Sequence, residues 1–134
     1  MCGITGALST IDTDHSFIDR MTESLRHRGP NGRGTAVFDE RCEILTLDVD
    51  NQNETIVSPS SFGRLSLGHR RLSVIDPEHS SNQPMGYLQG RYWIVFNGEI
   101  YNYIELKSEL EELGHVFLTK SDTEVILAAY HQWG

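Results

Sequence analysis

A chain of 134 residues is long enough for one domain with its own core, and 38% hydrophobic with 22% charged residues excludes a disordered chain. The balance of 11 basic against 19 acidic residues leaves a net charge of −8 and argues against a nucleic-acid surface, which needs clustered Lys and Arg. No apolar run approaches the roughly 20 residues that span a bilayer, and the N-terminus lacks the basic segment and apolar core of a signal peptide, so a cytoplasmic protein without a membrane partner is expected.

Cys2 to Leu8 alternates small and apolar residues and predicts a short buried strand. Asp12 to Asp14 reads as a polar turn, with Asp14 as N-cap of a helix over His15 to Arg28. Phe17, Met21 and Leu25 would form its buried face, and Gly29-Pro30 would end it. Strands are predicted at Thr35–Phe38 and Ile44–Val49, followed by a polar loop from Asp48 to Ser61. Two more follow at Arg64–His69 and Arg71–Ile75, then a polar connection from His79 to Gly86. Arg91–Phe96 is aromatic and β-branched and predicts a strand covered on both faces. A helix over Ile104–Leu113, stopped by Gly114, precedes a strand at His115–Thr119. A last helix over Asp122–Trp133 would bury Ile126, Ala129, Tyr130 and Trp133. Strands mixed with few helices, without regular β-α alternation, predict an α+β fold of antiparallel sheets in one domain over residues 1–134.

Two cysteines far apart, Cys2 and Cys42, fit free thiols in a reducing compartment, and the six histidines show no zinc-like spacing. Cys2 has a second property. Removal of Met1 would leave a thiol and a free α-amine on one residue, with reference pKa values of about 8.5 and about 7.7–8.0. Proton transfer between them is nearly thermoneutral, so one residue can be both nucleophile and general base. Otherwise Cys2 is a small apolar residue in a buried strand, and Cys42 has only such a structural reading.

Three further clusters carry chemistry. Asn97-Gly98-Glu99 offers a side-chain amide and a glycine N–H as oxyanion donors, or else a hairpin turn. Arg70-Arg71 in an extended strand sends its side chains to opposite faces, so one of the two can hold a carboxylate in a pocket. Ser121-Asp122-Thr123-Glu124 opens the last helix, as a cap or as an anion for a ligand ammonium.

The segments M-C-G-I-T-G, R-H-R-G-P, G-H-R-R-L-S-V-I-D, Q-P-M, N-G-E-I-Y-N and S-D-T-E-V-I together resemble class II glutamine amidotransferase domains, in particular the asparagine-synthetase branch, over Met1 to about Tyr130. The resemblance implies an N-terminal-nucleophile fold, a four-layer αββα sandwich of antiparallel sheets. It implies Cys2 as nucleophile and Asn97 with Gly98 as oxyanion hole. Arg71 would bind the α-carboxylate of the substrate glutamine, with Arg70 on the other face. Backbone at Val74 and Ile75 would line the pocket, and Glu99 with Asp122 would hold the α-ammonium.

The implied reaction is glutamine hydrolysis through a thioester, without a cofactor. ATP and magnesium would serve a synthetase domain of the full-length protein, absent from these residues, which takes up the ammonia. A homodimer is compatible with the family. Against the family pattern, Asn31 follows R-H-R-G-P where Asp is usual, and Lys120 stands where Gly is common. The sequence also ends before the strands expected to complete the second sheet, which predicts a C-terminally truncated domain. Two alternatives stand beside this reading: a catalytically silent module that binds glutamine or a partner, and a relative with another ammonia acceptor.

Overall fold

The computed structural model describes residues 1–50, 62–72 and 81–134. The strand expected as short and buried at Cys2–Leu8 is instead a 12-residue, largely exposed edge strand, β1 (Gly3–Asp14), followed by helix α1 (Phe17–Ser24), β2 (Gly32–Phe38), β3 (Ile44–Val49) and β4 (Phe62–Arg71). These strands form one antiparallel sheet in the order β1-β4-β2-β3. A hairpin of β5 (Met85–Tyr87) and β6 (Tyr92–Ile94) makes a second sheet, and helices α2 (Tyr103–Glu112) and α3 (Asp122–Trp133) complete the chain. The fold is α+β, as the order of elements predicts.

Register decides which residues face which layer. Gly3 pairs with Arg70, Thr5 with Gly68 and Ala7 with Ser66, and this set faces α1. Its packing is close: Thr5 Oγ1 and Thr22 Oγ1 lie 3.0 Å apart. The alternate set, Gly34 with His69, Ala36 with Leu67 and Phe38 with Leu65, faces the second sheet. There Ala36, Phe38, Leu47 and Val49 form a core with Leu65, Leu67 and Trp93 packed on it. Phe38 meets Trp93 edge to face, ring centroids 5.5 Å apart, and so joins the two sheets. A second core of Leu110, Val125 and Ala128, with Tyr87 and Phe117 against it, fixes α2 and α3 over the hairpin. The layers therefore run α1, four-stranded sheet, hairpin, α2 with α3.

Several local expectations are corrected. Asp12–Asp14 continues β1 and is no turn. Asp14 does not cap α1; its carboxylate accepts from Ser16 N at 2.9 Å and Ser16 Oγ at 3.0 Å, and Ser16 holds the cap position. The helix ends at Ser24, and tighter turns carry the chain to Arg28. Its buried residues are Ile18 and Thr22, while Met21 is exposed. The strand at Arg64–His69 extends as β4 through Arg71, and the rest of the one predicted at Arg71–Ile75 lies outside the described residues, as do positions 51–61 of the polar loop and 79–80 of the next connection. That connection also runs into the start of β5, and its residues Ser81, Asn82 and Gln83 are buried. β6 is shorter than Arg91–Phe96 and only half-buried.

His115–Thr119 is no strand. Its backbone is served by side chains instead: Leu118 N and Thr119 N donate to the Glu124 carboxylate at 2.9 and 2.7 Å, and Lys107 Nζ donates to Thr119 O at 3.1 Å. In α3 the buried apolar residues are Val125, Leu127 and Ala128, whereas Tyr130 and Trp133 are exposed. No helix of the described residues is long and apolar enough to cross a membrane.

Candidate active site

At the end of β1 the chain brings Cys2 alongside β4. Gly3 pairs with Arg70, so Cys2 comes level with Arg71 and Leu72. The Cys2 thiol accepts from Leu72 N at 3.3 Å and faces Leu72 O at 3.7 Å. Arg28 Nε donates to Cys2 O at 3.1 Å, which ties the residue to the turn after α1. That turn lies close on β4: a Cβ at Gly29 would sit 2.4 Å from the Arg70 carbonyl, so the approach requires glycine.

The two arginines part as strand geometry demands. Arg70 Nε donates to Gly29 O at 3.0 Å and its Nη1 meets Glu23 at 3.2 Å, on the α1 side. Arg71 turns to the opposite face, where its Nη1 donates to Asn82 Oδ1 at 3.1 Å. A cavity of about 380 Å³ opens on this face. Cys2, Arg71, Asn97, Gly98, Glu99 and Asp122 all line it. Val74 and Ile75 lie outside the described residues.

Asn97 and Gly98 follow β6 with no strand pairing after them among the described residues, so the hairpin-turn reading does not apply. Glu99 is exposed at the rim. Ser121, not Asp122, caps α3, its side chain accepting from Thr123 N at 3.2 Å. Asp122 is buried and accepts from Ile100 N at 3.0 Å, which pins the far end of the Asn97–Glu99 segment. The cap reading thus falls on Ser121, and Asp122 lines the cavity.

The two departures from the family pattern leave the local backbone bonding in place. Asn31 contributes its backbone N–H to Arg71 O at 2.9 Å, a bond most residues can make. Lys120 precedes an intact cap. Cys42 is exposed in the β2–β3 turn and does not line this cavity.

His69 was not singled out in the sequence, although it lies two residues before Arg71 on one strand and so shares its face. It is buried and lines the cavity, and its Nε2 donates to Phe96 O at 3.3 Å. A carbonyl can only accept, so Nε2 carries the proton. Burial pulls the imidazole down from 6.5 to about 4, against the Phe96 hydrogen bond and helped by the Arg71 charge. His69 is therefore neutral near pH 7. Arg28, Asn82 and Gln83 are further contributors that residue type alone did not reveal. Among the described residues, no group of three or more His, Cys, Asp or Glu could hold a metal ion.

The arrangement supplies a thiol, a guanidinium and two carboxylates around a volume suited to a small amino acid. Comparison with known proteins agrees. Residues 50–134 match the family described as glutamine amidotransferase domain. The chain is 38% identical over 138 residues, 99% of its length, to asparagine synthetase (glutamine-hydrolyzing) 1 of Bacillus subtilis, of which it spans 18%. It is 41% identical over 124 residues, 89% of its length, to a putative asparagine synthetase (glutamine-hydrolyzing) of Mycobacterium tuberculosis, of which it spans 16%. Among solved structures, glutamine phosphoribosylpyrophosphate amidotransferase from Bacillus subtilis superposes with a TM-score of 0.64 at 23% identity, covering 99% of this chain and 29% of that one.

Proposed function

The chain belongs to the glutamine amidotransferase domain family, and from that premise we propose that Cys2, freed at its amine by removal of Met1, hydrolyses the side-chain amide of glutamine. While Met1 is attached, the Cys2 nitrogen is an amide and cannot accept a proton. Once free, it takes the thiol proton, and the sulfur attacks the amide carbon. A C–S bond forms, and the carbonyl electron pair moves onto oxygen, where the Asn97 side-chain amide and the Gly98 N–H receive it. The pair returns, the C–N bond breaks, and the amine passes its proton to the departing nitrogen. Ammonia leaves a γ-glutamyl thioester, and water, deprotonated by the same amine, releases glutamate and the thiol.

Arg71 holds the α-carboxylate, and Glu99 and Asp122 hold the α-ammonium; Val74 and Ile75, which the family resemblance also implicates, lie outside the described residues. The step uses no cofactor, because base and electrophilic donors come from Cys2, Asn97 and Gly98. We assign residues 1–134 to a glutaminase domain. Transfer of the ammonia to a carboxylate such as that of aspartate, with ATP and magnesium, belongs to a synthetase region of a longer protein.

One observation carries the reading: Cys2, Arg71, Asn97, Gly98, Glu99 and Asp122, spread over the chain, surround one cavity. The test is intact-mass analysis after treatment with a glutamine-mimicking diazoketone, alongside glutamate release. The expected result is loss of Met1, one adduct that disappears in Cys2→Ala, and glutamate formed only by the unmodified chain. Glutamate release by Cys2→Ala would sink the reading.

A further inference from the structure

The Gln83-Pro84-Met85 motif has no part in the chemistry above, yet Ser81, Asn82 and Gln83 before Pro84 and Met85 are buried polar residues between the sheets. Such a run is costly unless its polar atoms are paired. Asn82 Oδ1 accepts from Arg71 Nη1 at 3.1 Å, and its Nδ2 donates to Asp50 O at 2.8 Å. Gln83 Oε1 accepts from Phe96 N at 2.6 Å, and its Nε2 donates to Thr123 Oγ1 at 3.1 Å. β6 ends at Ile94, so the Gln83 side chain takes the place of a neighbouring strand's carbonyl for Phe96. With His69 on the Phe96 carbonyl, both backbone groups of the residue before Asn97 are held by buried side chains. The fit extends to the backbone: a Cβ at Gly34 would lie 2.1 Å from Gln83 O.

We propose that Asn82 and Gln83 are positioning residues for two different parts of the reaction, Asn82 orienting Arg71 for the substrate carboxylate and Gln83 holding the Phe96–Gly98 backbone so that the oxyanion donors are in place. The inference rests on the glutaminase reading. Asn82 acts on a group that touches ground state and transition state alike, so its loss weakens binding. Gln83 acts on donors that matter only once charge develops, so its loss slows the chemical step. Two consecutive residues thus govern different kinetic constants.

The experiment is steady-state glutamate release by the unmodified chain and by Asn82→Leu, Gln83→Met, Gln83→Glu and Thr123→Val, with thermal unfolding recorded for each. Gln83→Met is expected to lower kcat about 100-fold with KM within about twofold, since displacement near 1 Å costs that much. Asn82→Leu is expected to raise KM about tenfold with kcat little changed. Gln83→Glu keeps the acceptor for Phe96 N–H and should recover most of kcat. If Gln83→Met does not fold, Thr123→Val decides, because it frees the other end of the Gln83 side chain and should lower kcat several-fold at constant KM. Unchanged kcat in a folded Gln83→Met or in Thr123→Val, or KM and kcat moving alike in the Asn82 and Gln83 variants, overturns the proposal. No glutamate from the unmodified chain, or glutamate from Cys2→Ala, overturns the glutaminase reading itself and is told apart by that control.

Discussion

His69 shows how far a residue's role depends on its surroundings. Its imidazole titrates near 6.5 in an unfolded chain and at about 4 in the fold. Between those values the unfolded chain binds a proton that the folded chain refuses. Stability from this group is therefore complete above about pH 7 and falls as pH drops toward 4, by on the order of 3 kcal/mol. Below that it changes no further. His69→Gln keeps an N–H donor and does not titrate, so its stability loss between pH 7 and 4.5, measured by urea unfolding, should be smaller than that of the unmodified chain. Equal losses would show that His69 titrates normally. The sequence could not reveal this. Cys2, Arg71, Asn97 and Asp122 were legible as lining of one cavity only through the family resemblance, since by residue type alone each also fits a structural reading. His69, Asn82 and Gln83 act through particular backbone or side-chain atoms of distant residues, and residue type does not say which.

Among the elements, the turn after α1 is the most constrained by contact. Gly29 lies where a Cβ would meet Arg70 C and O at 2.4 Å and Arg71 N at 2.6 Å, all backbone atoms that cannot swing aside. Gly29→Ala is expected to cost about 1–3 kcal/mol by overpacking and to raise KM for glutamine, because the strand end that must yield carries Arg71. Gly6→Ala is the control, since its Cβ would find only ordinary contacts, the nearest at 3.5 Å. Denaturant unfolding of the two variants compares them directly.

Helix existence was readable, but helix facing was not. In α3 apolar residues run nearly all round the helix from Val125 to Ala129, so period alone could not choose the buried side. In α1 one of the two buried positions falls to Thr22, whose hydroxyl meets Thr5, and a polar letter hid a core site. At His115–Thr119 a β-like composition lost to the Glu124 carboxylate, which satisfies the backbone without a partner strand.

On the scale of the molecule, the site depends on two sheets staying in register with each other. Phe38 and Trp93 make that connection. Phe38→Ala should remove about 3–5 kcal/mol of stability and lower the temperature at which glutamate release is lost by more than a surface change such as Lys120→Ala. Equal inactivation temperatures would mean that the sheets are held elsewhere.

β1 lies at the sheet edge and pairs with β4, so the contacts of Cys2 with Leu72 span 70 positions of sequence. Synthesis of those 70 residues takes roughly 4–14 s at about 5–20 residues per second. For that interval the first residues leave the ribosome with no strand to join. An aminopeptidase can then reach the Met1–Cys2 bond in extended chain, before the ladder at Gly3 and the Arg28 bond to the Cys2 carbonyl hold it. The order of translation itself thus gives the proposed nucleophile time to be unmasked before its pocket exists.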